Sequence, residues 1–142
     1  MSPVRIRLFA AAAGAMLLVA AANRSHTPLV MSNAANALLS SLSADQKAKA
    51  VFDFNSEERL NWHFIPRERK GLSYKLMTTE QRPLALALLS ASLSQQGFIK
   101  ATSIMSLEEI LKIQENNTPP GRRDPENYFF SIFGTPSETG TW

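Results

Sequence analysis

The side chains best equipped for chemistry fall in one short stretch, Leu60 to Gly71, "LNWHFIPRERKG". His63 carries an imidazole that can move a proton near neutral pH or ligate a metal. Arg67 and Arg69 offer planar guanidinium groups that pair carboxylates bidentately. Trp62 adds a flat aromatic wall. Arg59, Arg67, Arg69, Lys70 and Lys75 against Glu68 give this region a local +4, so the partner class it fits is an anionic small molecule. Arg69 is the leading contact, because it lies beyond Pro66 and close behind His63. The plainer reading is a solvated rim whose cations pair with Glu57, Glu58 and Asp53, each pair worth little.

The stretch lacks the company that most reactions need. The chain has 2 histidines and no cysteine, which excludes a thiol nucleophile and any cysteine zinc site. One histidine cannot grip a metal, and the carboxylates show no ligand spacing. No metal site is therefore expected within these residues, although His63 could join ligands further along a longer chain. Glu57 and Glu58 are adjacent, diverge by about 100° on a helical turn, and cannot act as a carboxylate pair. The sequence holds no nucleophile-elbow, Walker or zinc-helix motif, and no serine has a base beside it. No cofactor is implied. Two functional readings follow: a ligand- or metal-site protein, catalytic if other residues complete it, or a non-catalytic envelope binding or structural module.

The amino terminus indicates where such a protein works. Arg5 and Arg7 precede an uncharged run, Leu8 to Ala22, that closes on Ala20-Ala21-Ala22. This is the layout of a secretory signal peptide over 1–22. The run has roughly 15 apolar residues, short of the ~20 a spanning helix needs, so no stable membrane span is expected after cleavage. The remainder would be exported, to the periplasm or beyond the cell. It holds 13 basic and 12 acidic residues. Nucleic-acid binding requires a surplus of cations facing phosphates, and that surplus leaves with the leader.

Positioning elements are legible by period and capping. Residues 23–34 read as a flexible lead-in, with "NRSHTPLVMS" unstructured, ahead of one domain portion at 35–142. Leu38, Leu39 and Leu42 share a helical stripe. Ser43 with Gln46 forms a capping box that opens a second short helix, whose expected buried side is Ala48, Val51 and Phe52. Leu60 to Ile65 has the alternation of a short strand ended by Pro66, with Trp62 and Phe64 facing the core and His63 facing the charged side. Thr78/Thr79 cap a helix whose stripe is Leu86, Leu89 and Leu93, flanked by Leu84 and Leu88, with Gly97 as its C-cap. Ile104, Leu107, Ile110 and Leu111 give the apolar face of a further helix, or of two if Ser106 and Glu109 cap a second. "NYFFSIFG" reads as a strand over about 127–133. The fold class is α+β: a mainly helical portion with a few short strands, at about 60–65 and 127–133.

The blocks "NWHF-P-ERKG", "MT-EQR-LA-ALL" and "RDPE-YFF-IFG-PS" resemble the opening part of the bacterial domain-of-unknown-function family 3500, across roughly residues 35 to 142. The resemblance implies a chain more than twice this length. In it Trp142 would continue into a second strand and a Gly-His-His block. It therefore implies that these residues are a truncated part of a larger α+β domain and inactive alone.

Overall fold

The computed structural model describes residues 27–65, 67–118 and 122–142. The leader and the Pro66 strand stop lie outside the described residues. Helix α1 covers 27–41, so the part of the lead-in from 27 onward is helical, not unstructured. Leu38 and Leu42 are buried and Leu39 packs against them, which anchors the segment. The bend falls at Ser43 as expected. Its side chain accepts the Gln46 N–H at 3.2 Å while the Gln46 side chain accepts the Ser43 N–H at 3.0 Å. These bonds satisfy donors that the first turn of α2 (Ala44–Ala50) would otherwise leave open.

The buried side of α2 is Ala50; Ala48 is exposed and Val51 is 39% exposed. The chain turns extended at Val51, which moves Val51 and Phe52 off the helix into β1 (Val51–Phe52). A 3-10 turn follows at Glu57–Leu60, capped by Ser56. No strand forms at 60–65; residues 61–65 have no regular structure. Strand β2 is Leu72–Ser73, entered through Gly71 at φ 110°, a backbone setting that glycine adopts without penalty. A second 3-10 turn, Tyr74–Leu76, leads to α3 (Gln81–Ser92).

The N-cap of α3 is Glu80, which makes no side-chain cap hydrogen bond, and not Thr78 or Thr79; the Thr78 hydroxyl still accepts the Gln81 N–H at 3.4 Å. The helix buries Gln81, Ala85 and the flanking Leu88, with Leu84 packed against the core, and not the central stripe. Leu86 and Leu89 are half-buried, and Leu93 is exposed. The helix stops at Ser92, and Ser94 caps α4 (Gln95–Gln114), accepting the Gly97 N–H. Gly97 thus lies in the first turn of α4 and is no C-cap. Helix α4 runs unbroken, which answers the one-or-two question. Ser106, the candidate second cap, donates instead to the Ser103 carbonyl at 2.8 Å. Its expected apolar face is not buried: Ile104, Leu107 and Ile110 are each about half exposed. Among the described residues, no helix is long and apolar enough to cross a membrane.

The aromatic segment near the C-terminus is two strands, β3 (Phe129–Phe130) and β4 (Ile132–Phe133), split at Ser131. β3 pairs antiparallel with β2, Leu72 opposite Phe130. β4 pairs parallel with β1, Val51 opposite Ile132, and Phe52 stacks on Phe133 at 5.2 Å. The two strand pairs and the helices enclose a core of Leu38, Leu42, Leu72, Met77, Leu88 and Ile132. Each fully buried leucine stabilises the fold by about 1.5–3 kcal/mol. The class is mainly helical α+β, as expected, with strands also at 51–52 and 72–73.

Candidate functional site

The 57–70 segment folds back on itself through Asn61. Its Nδ2 donates to Glu58 Oε2 at 2.9 Å. Its Oδ1 accepts from an Arg67 guanidinium nitrogen at 2.7 Å and lies 2.9 Å from His63 Nε2. Because that oxygen can only accept, Nε2 carries the proton in this arrangement. One Arg69 nitrogen donates to the His63 carbonyl at 2.7 Å and to the Ile65 carbonyl at 3.3 Å. Lacking a ladder of strand hydrogen bonds, the loop takes its shape from two arginines and an asparagine. Trp62 and Phe64 are 77% and 84% exposed. The expected strand alternation is therefore reversed: the half-buried residue is His63, held by Asn61, and its neighbours project outward.

Against this loop lies an open cleft of about 270 Å³, lined by Arg59, Asn61, Trp62, Arg67, Arg69 and Lys70 on the loop side. Glu58 and Glu68 also line it, and Phe129, Ser131 and Phe133 form its far wall. The structure thus brings Trp62, Arg67 and Arg69 into one wall. His63 is not part of the lining; its ring reaches the cleft only through Asn61. Lys75 is elsewhere, 2.7 Å from Asp124. That contact raises the Lys75 ammonium pKa and lowers that of the Asp124 carboxyl, the shared hydrogen bond being the main cause for both.

The expected rim pairs form only in part. Lys70 meets Glu58 at 3.6 Å, but among the described residues no carboxylate lies within 4 Å of Arg59, Arg67 or Arg69. Arg59 instead lies over the Phe54 ring at 4.3 Å. Asn61 and the Phe129–Phe133 wall were not among the sequence candidates. Asn61 carried a signal, since it adjoins the Trp-His-Phe run. The wall carried none, because its approach depends on a pairing distant in sequence.

A second groove, about 440 Å³, lies behind β3. Leu88, Leu89, Ala101, Ile104, Met105 and Phe130 line it, and Phe129 and Ser131 belong to both hollows. Tyr128 also borders it; burial, with the charge of Glu108 adding, raises the pKa of its phenol. Among the described residues, no group of three or more His, Cys, Asp or Glu side chains is placed to hold a metal ion.

The family model described as "Protein of unknown function (DUF3500)" matches residues 25–142. No curated protein and no solved structure matches the chain.

Proposed function

The chain belongs to the DUF3500 family, and from the cleft itself we propose that it is an exported protein that binds a small anionic ligand. The observation that carries this reading is the set of three guanidinium groups on one cleft that, among the described residues, have no carboxylate within 4 Å. Arg59, Arg67 and Arg69 are oriented by a ring face, an amide oxygen and two carbonyls respectively. These neutral partners fix the side chains, and the four cations of the cleft outnumber Glu58 and Glu68, so less ordering is lost when an anion arrives. Trp62 would cover the ligand's apolar part.

Binding is favoured over catalysis by two features. His63 directs its ring nitrogen at Asn61, and among the described residues Ser131, the hydroxyl on the far wall, has no base hydrogen-bonded to it. Export rests on Arg5, Arg7, the Leu8–Ala22 run and the small residues that close it.

The test is isothermal titration of the protein with phosphate, sulfate and succinate in low-salt buffer. At least one should bind, with affinity falling as salt rises. Arg67→Gln should weaken that binding about tenfold, the loss expected for one charge-assisted hydrogen bond. No binding by any of the three, or an unaltered affinity in Arg67→Gln, refutes the cleft. Mass spectrometry of the exported protein should find Asn23 as the first residue.

A further inference from the structure

The cationic cleft and the apolar groove are neighbours. Phe129 and Ser131 line both, so the two hollows adjoin across the β3–β4 junction. They differ sharply in chemistry. One side presents Arg59, Arg67, Arg69 and Lys70 against Glu58 and Glu68, a net positive wall. The other is walled by leucine, isoleucine, methionine and phenylalanine side chains from α3, α4 and β3. At about 440 Å³, that groove is within the size range of small-molecule sites, which are mostly apolar with a few placed polar groups. It also continues onto the outward face of α4 through Ile104, which is 49% exposed.

From this juxtaposition we propose that the ligand is an anionic amphiphile: an acid head held at the Arg67–Arg69 wall and an aliphatic tail lying in the groove between α3, α4 and β3. The inference rests on the anion-binding reading and narrows it to a substrate class. Charge complementarity sets the polarity of the occupant, since the groove itself offers no cation, while the cleft places Arg59, Arg67, Arg69 and Lys70 beside its aromatic residues Trp62, Phe129 and Phe133. Ser131, at the junction, can donate its hydroxyl to a head oxygen while Phe129 covers the first carbons of the tail. A tail gains affinity with each methylene removed from water, whereas a bare anion uses only the cleft.

The test compares decanoate, butanoate and decanol by isothermal titration on the full chain, below the aggregation concentration of decanoate. Decanoate should bind at least about tenfold more tightly than either of the others, because its longer tail adds apolar area and its head adds charge. Ile104→Asn should lower decanoate affinity severalfold and leave butanoate unchanged. Circular dichroism verifies that this exposed-site variant keeps its helices, and Met105→Ser serves as the second groove variant. If butanoate binds as well as decanoate, the cationic cleft survives and the amphiphile is refuted. If decanol matches decanoate, the head makes no contribution and the amphiphile is again refuted. If neither acid binds, the amphiphile is refuted, and the phosphate, sulfate and succinate titrations decide the anion cleft separately. Decanoate affinity untouched in both groove variants also overturns the proposal.

Discussion

Gln46 and Gln81 hold each other by their amides, each Nε2 donating to the other's Oε1 at 2.9 Å. Every remaining amide valence is used as well. Gln81 donates to the Ser41 carbonyl at 2.8 Å and accepts the Thr78 N–H at 2.9 Å. Gln46 donates to the Leu76 carbonyl at 2.9 Å and accepts the Ser43 N–H. One amide pair therefore ties the end of α1, the start of α2, the second 3-10 turn and the start of α3, with Gln81 only 6% exposed. Buried polar groups favour the fold only when satisfied, and this pair is.

Gln81→Glu keeps the shape and replaces two donors with a charge facing the Ser41 carbonyl. It should cost about 2–4 kcal/mol at pH 7, the penalty for an unsatisfied buried polar group made charged. Burial raises the new carboxyl's pKa, so the variant's stability falls as pH rises through that value and the penalty shrinks in acid. Urea unfolding at pH 4.5 and pH 7 measures both. A variant as stable as the parent at pH 7 would show that the network carries no weight.

Gly71 adopts φ 110°, and a Cβ there would lie 2.6 Å from Ser131 Oγ and 3.1 Å from the Phe130 carbonyl oxygen. Gly71→Ala should therefore destabilise by about 2–4 kcal/mol, combining backbone strain with a forced shift of β3. Since β3 carries the wall shared by the two hollows, anion binding should weaken as well. Thermal unfolding with a parallel titration checks the pair of effects.

The pairing of Lys75 with Asp124 gives the acid limb of the stability curve a component. The Asp124 carboxyl is held below its ordinary pKa, mainly by its hydrogen bond to Lys75. A group depressed in the folded state contributes stability that is present above its unfolded pKa and is lost as pH falls through the folded one. Stability should thus decline below about pH 4, and Asp124→Asn should flatten that decline. An unchanged slope between pH 5 and pH 2 in denaturant melts would remove Asp124 from the account.

Outward residues of α4 are expected to be silent in stability. Ile110→Lys and Ile113→Lys, at positions 52% and 71% exposed, should change unfolding free energy by less than about 0.5 kcal/mol. Leu88→Ala, in the core at 8% exposure, should cost about 2–4 kcal/mol. A large loss at Ile113 would mean that this face is covered in the folded protein.

Local signals were the part legible in sequence. The Ser43–Gln46 box, the bend between α1 and α2 and the Leu38/Leu42 stripe each follow from residues within one or two helical turns. Alternation misled at Leu60–Ile65, because a period of two marks a strand only where a partner strand exists, and none pairs there. The helical period likewise located α4 without saying that its apolar face would lie open. The basic cleft was half visible: Trp62, Arg67 and Arg69 stood together in sequence, but Phe129 and Ser131 arrive only through pairing with β2. His63, the most chemically suggestive residue, is turned to Asn61 by a hydrogen bond that no spacing rule announces.

The split at Ser131 sets the order of assembly. A single run of five residues, 129–133, closes both strand pairs, one with Leu72–Ser73 and the other with Val51–Phe52. The partners in the second pair are about eighty residues apart in the chain, a separation that slows closure. During synthesis the helices can form early, but neither ribbon can exist before this run has left the ribosome. Until then the ring of Phe52 lacks Phe133 to stack on, and the backbone edges of β1 and β2 lack the strands they pair with in the fold.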